Sequence, residues 1–199
     1  MSAKTEITRD DIMPMAEYEG IRKAHRARLV DIKRNRRVHC GPDATFYFEN
    51  FETMWSQIHE MLYIERGGEE QIEDELAAYN PLIPNGRELV ATFMIEIDDR
   101  DRRQRVLSQL GGIEETLYIR VGDEKIMSVA EADVDRTTAD GKASSVQFVH
   151  FPFTDEQIQR FRDPSVEVVV GCDHPGYRHM TALGEAQREA LAADFAAAH

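Results

Sequence analysis

Two apolar seams separated by Gly67–Gly68 constrain this chain more than any other feature. Phe51, Met54, Trp55, Ile58 and Leu62 recur at helical spacing, which puts them on one face of a helix running from Phe51 to Arg66. Glu65 falls on that face, with Met61 at its edge. Ile72, Leu76 and Tyr79 repeat the pattern in a second helix, Glu69 to Tyr79. Glycine is a poor helix former, so the pair predicts a helical hairpin or a sharp kink. Asn80–Pro81 stops the second helix. Ahead of the first, Asn50 can accept a hydrogen bond from a free N–H of the opening turn.

Before this unit, Met15, Tyr18, Ile21, His25, Leu29 and Ile32 mark one face of a long helix from about Pro14 to Arg34. Val38–Glu49 reads as strand, turn and strand around Gly41–Pro42–Asp43. After the unit, Leu89, Ala91, Phe93, Ile95 and Ile97 alternate along Arg87–Asp98, as on one face of a strand. The other face carries Glu88, Val90, Thr92, Met94 and Glu96 and is expected to be partly buried. A charged helix over Arg100–Leu110, a hairpin about Gly122 and a polar loop at Asp133–Lys142 follow. Strands are expected at Ala143–Phe153 and Val166–Gly171, with a short helix opening at Thr154 between them. The turn-rich segment Gly171–His179 leads into an extended piece and a final helix, Glu185 to about Ala193. Helices concentrate early and strands late. The expected fold is therefore α+β: a long N-terminal helix and a central helical hairpin on an antiparallel or mixed sheet of about five to six strands. One domain, residues 1–199, is expected, flexible over about 1–11 and 194–199.

The net charge of −13 argues against a nucleic-acid surface, because phosphate repels an acidic protein. No run approaches the length of a membrane span. The opening residues have no apolar segment of the signal-peptide kind. The two cysteines, Cys40 and Cys172, read as free thiols in a reducing, cytoplasmic compartment, a single bridge being the alternative.

Three groups of residues could carry chemistry. A carboxylate on an apolar face must be paired or serve a site. Glu65 is such a group, and Glu49 and Glu96 interrupt strand patterns. With Asn50 and Gln57 they make a candidate pocket for a metal or for acid–base work, set against separate structural salt bridges. His59 and Glu60 offer no Glu-x-x-His pair of the ferritin kind. A second group, Cys172, His174 and His179 with His39 and Cys40, offers sulfur and nitrogen ligands for iron or zinc, though in no standard zinc spacing. The plainer reading makes Cys172–His179 a turn. The third group is basic: Arg22, Lys23, Arg26, Arg28, Lys33 and Arg34 crowd the second half of the long helix. It is either a solvated face whose cations complement the helix dipole or a docking surface for a partner. The same helix could serve as an interface in a structural homo-oligomer.

Thr45–Trp55, Gln57–Glu65, Ala78–Pro84, Ala91–Asp98, Thr138–Phe153 and Asp173–Tyr177 together resemble an uncharacterised bacterial family known as a domain of unknown function. The likeness covers nearly the whole chain and assigns no catalytic residue. Members resemble one another in being encoded beside rubrerythrin-like and iron–sulfur oxidoreductase proteins. What this implies, by association, is an accessory role in redox or oxidative-stress physiology, docked to an iron or iron–sulfur partner.

Overall fold

The structure, a computed structural model, describes residues 4–131 and 142–196. The expected loop at Asp133–Lys142 lies outside the described residues except for Lys142. So do residues 1–3 and 197–199 of the two ends. In chain order the described elements are α1 (Met15–Arg34), β1 (Arg37–Cys40), β2 (Ala44–Phe48), α2 (Phe51–Glu65), α3 (Glu69–Tyr79) and β3 (Glu88–Ile95). Then come α4 (Arg100–Leu107), β4 (Leu117–Val121), β5 (Glu124–Met127), β6 (Val129–Ala130) and β7 (Val146–Pro152). The chain continues through α5 (Asp155–Arg162), β8 (Val168–His174), β9 (Tyr177–Ala182) and α6 (Glu185–Ala192). The fold class is α+β, as expected. The strands form two antiparallel sheets, ordered β1-β2-β3-β7-β6 and β5-β4-β8-β9.

The alternation in β3 explains how these layers stack. Leu89, Ala91, Phe93 and Ile95 point into a core between the two sheets and are buried. Phe93 lies opposite Phe46 in register, with ring centroids 4.8 Å apart. Leu117, Ile119, Val121, Val168 and Val170 fill the same core from the second sheet. All three valines of β8 are buried, as a strand covered on both faces requires. The sheets meet where β1 approaches β9, and Thr181 Oγ1 donates to the His39 carbonyl at 2.5 Å. The turn between β1 and β2 needs glycine. Gly41 has φ +74, and a Cβ there would come within 2.5 Å of the His179 ring.

The outer face of β3 is covered by helices. Met54, Ile58 and Leu62 of α2 form a second apolar cluster with Val90, Ile72, Leu76 and Leu82. Asn50 caps α2 by accepting from the Thr53 N–H at 3.0 Å. The helix ends at Arg66, whose φ of 55 is left-handed, and α3 follows after the two glycines. α1 lies on α2 through Tyr18, whose ring contacts Trp55, His59 and Tyr63. It leaves Ile21 and Val30 exposed. Residues 4–14 are pinned to the hairpin. Asn80 exchanges two hydrogen bonds with the Ile7 backbone, at 2.8 and 2.9 Å, and Trp55 Nε1 donates to the Asp11 carbonyl at 2.9 Å. Among the described residues no helix is long and apolar enough to cross a membrane.

Candidate functional site

A helix is narrower than the sheet it covers, and here the mismatch leaves a cavity. It has a volume of about 420 Å³, within the range usual for small-molecule sites. The outer face of the first sheet supplies Tyr47, Thr92, Met94 and Phe148. The helices supply Lys33, Thr53, Met54, Gln57 and Tyr79, and Glu49 and Glu96 stand at the ends of strands. Glu49 follows β2 directly and is anchored by its N–H to the Val90 carbonyl at 2.8 Å. The residue is 9% exposed. Thr53 Oγ1 donates to one carboxylate oxygen at 2.6 Å and Thr92 Oγ1 to the other at 2.8 Å. No cation pairs with it among the described residues.

Glu96, just past β3, is exposed but held. Tyr47 donates to Oε1 at 2.6 Å and Thr45 to Oε2 at 2.7 Å. Since the Thr45 hydroxyl proton goes to Glu96, His39 Nδ1 must carry the proton that it shares with Thr45 Oγ1 at 3.0 Å. Burial and the bond to Glu96 both raise the Tyr47 phenol above its ordinary pKa. Gln57 Nε2 donates to the Tyr79 hydroxyl at 3.4 Å across the cavity wall. Arg36 also borders the cavity but is engaged elsewhere. It donates to the carbonyls of Phe48, Glu49 and Ala190, and pairs with buried Asp194. Burial pushes the Asp194 carboxyl up, against the pull of Arg36.

Of the five pocket candidates, Glu49, Gln57 and Glu96 do meet. Asn50 serves as the helix cap and faces a neighbouring cleft with Arg36 and Asp194. The reading of Glu65 needs correction. It is exposed, near the end of α2, and accepts from Gln71 at 2.8 Å. The last turn of α2 projects past its cover, as the exposure of neighbouring Ile64 shows, so position on the apolar face no longer means burial there. Thr53 and Thr92, the two donors to Glu49, went unrecognised in the sequence. Their signals were present: Thr53 stands three residues after the cap, and Thr92 lies on the half-covered face of β3.

The candidate metal ligands Cys40, Cys172 and His179 lie on neighbouring strands, Cys172 opposite His179 in register, but their side chains do not converge on one point. Cys40 and Cys172 are free, buried thiols, and burial pushes Cys40 up to about 12 and Cys172 in the same direction. Cys40 Sγ donates to the His179 carbonyl at 3.4 Å, while His39 bonds Thr45. His174 closes the β8–β9 turn, accepting from the Gly176 N–H at 3.1 Å. The His179 ring packs on Tyr177. Among the described residues no three His, Cys, Asp or Glu side chains are grouped to hold a metal ion.

The basic helix face is partly neutralised within the chain. Arg22 binds Glu60 through two bonds of 2.8 Å, which holds that carboxyl down at about 2. Arg28 pairs with Glu52 and Arg34 with Asp31. Lys23, Arg26 and Lys33 make no ion pair among the described residues. A larger cavity, about 600 Å³, lies between the start of α1 and the α2–α3 link. Two of its charged groups, Arg9 and Glu69, pair with each other.

Comparison with the curated proteins gives no match. Among solved structures, a novel protein of unknown function from Burkholderia pseudomallei is similar over 95% of this chain and 98% of its own. It shares 34% identity with a TM-score of 0.87. The family described as protein of unknown function (DUF3501) matches residues 6–195. With that match spanning both sheets and the helical layer, the chain belongs to the DUF3501 family.

Proposed function

We propose that the protein binds a small organic molecule bearing a cationic group, in the cavity between α2 and the outer face of the first sheet. One observation carries this reading: Glu49 is a buried carboxylate with two hydroxyl donors and, among the described residues, no paired cation. A buried charge is costly unless it is paired as well as hydrogen-bonded. An ammonium group in the cavity would supply the missing counter-charge, with Glu96 as a second acceptor at the mouth. Calorimetric titration with short primary alkylamines tests the idea. The parent should bind them and Glu49→Gln, which keeps the side-chain shape, should not. Equal binding by the two proteins would end the reading.

A second reading retains the docking role, as an accessory in oxidative-stress physiology to an iron or iron–sulfur redox partner. It is supported by exposed Lys23 and Arg26, cations that make no ion pair among the described residues. Reversing both charges should weaken capture of a rubrerythrin-like partner, with the loss growing as salt is lowered. Unchanged capture would remove this role.

A further inference from the structure

We propose that the ligand of the Glu49 cavity is a zwitterion: an amino acid with an apolar side chain. This deepens the reading above and rests on it. Besides Arg36, which pairs with Asp194, the cavity is bordered by two cations, Lys33 and Arg37, and two anions, Glu49 and Glu96. Among the described residues none of the four makes an ion pair, with each other or elsewhere. Arg37 is instead held over the Tyr47 ring, 5.3 Å from its centroid, and the two carboxylates are held by hydroxyls. Four charged groups thus border one space with no ion pair between them among the described residues.

A ligand with one charge would satisfy one half of this arrangement and meet like charge from the other half. A zwitterion satisfies both, its ammonium toward Glu49 and its carboxylate toward Lys33 and Arg37. Arginine suits the second task, because its planar guanidinium matches a carboxylate in two parallel bonds. Met54 and Phe148 give the space an apolar wall, which selects an aliphatic side chain over a polar one. The volume of about 420 Å³ admits a ligand of this size.

Leucine, isoamylamine and isocaproate separate the possibilities, since the second lacks the carboxylate of leucine and the third lacks its ammonium. Calorimetric titration of the full chain should show leucine binding about tenfold or more tightly than either analogue. The variant carrying Lys33→Gln and Arg37→Gln should bind leucine no better than the parent binds isoamylamine, while its affinity for isoamylamine stays the same or rises. If isoamylamine binds the parent as tightly as leucine, the zwitterion proposal fails and the cation-binding reading survives. If isocaproate matches leucine and isoamylamine does not bind, both fail. Both also fail if none of the three binds.

Discussion

The two faces of β3 are built from neighbouring residues of one strand, yet they end in different environments. Inside, Leu89, Ala91, Phe93 and Ile95 meet the second sheet and share one buried apolar core with its Leu117, Ile119 and Val170. Outside, Val90 is sealed under α2, whereas Thr92 and Met94 run out beneath the edge of the helix layer into a cavity. Sheet against sheet closes a core. Helix against sheet closes only the part it can reach, and the polar groups of this protein gather in the remainder. Which residues can bear function is decided here by the width of the covering layer as much as by residue type.

The comparison predicts a hierarchy of costs. On the inner face, Phe93→Ala should lower unfolding stability by about 3–5 kcal/mol in urea titration, through lost burial and a residual cavity. A loss near that expected at an exposed site would show that the sandwich core is not closed. Beside the end of β2, Asp194→Ala should cost about 3 kcal/mol, the low end for breaking a buried pair, because three carbonyls still accept from Arg36. On the outer face, Thr92→Val keeps the shape but removes one donor to Glu49. A stability loss of about 1–2 kcal/mol is expected, together with weaker amine binding. No change in either would mean that Glu49 is held by Thr53 alone.

The smallest effects, about 1 kcal/mol each, concern two histidines with opposite pH dependence. His150 lies between Glu88 and Glu131, with ring nitrogens 3.1 and 2.9 Å from their carboxylates. The hydrogen bond to Glu88, more than any other contact, raises it above its ordinary 6.5. Its stabilisation is complete below that value and fades as pH rises through the raised pKa. His59 is fully buried under α1, donates to the Trp55 carbonyl at 2.8 Å and accepts from the Met13 N–H at 3.2 Å. Burial lowers it below 6.5, so its contribution is complete above that value and is lost as pH falls. Unfolding midpoints between about pH 5 and pH 8 should therefore diverge. His150→Gln should differ most from the parent at the acid end, and His59→Gln should remove part of the parent's acid-side loss. Differences that stay constant with pH in both variants would contradict this account.

Much of this architecture was legible in the residues themselves. The hairpin about Gly67–Gly68, the cap at Asn50 and the two faces of β3 follow from local preference and periodicity, which act over a few residues. The suspicion attached to Glu49 was also local, since a carboxylate closing an aromatic strand has few solvated places to go. Glu65 was misjudged because periodicity assigns a face without telling where the covering layer stops. Arg22, Arg28 and Arg34 looked like one surface, but the long side chains of the first two reach acids that are distant in sequence. Arg22 meets Glu60 from a different helix.

Sequence alone determined the helix and strand alphabet, the buried faces and the acidic balance, because each depends on neighbours along the chain. Only the tertiary structure decided that the strands form two sheets, that Glu49 and Glu96 share one cavity with Lys33 and Arg37, and that Arg22 and Arg28 are already paired with acids of another helix. Those outcomes depend on strand order and on the reach of one layer over another. Physical juxtaposition across the fold, which no local pattern encodes, is what turned a list of charged residues into a candidate site.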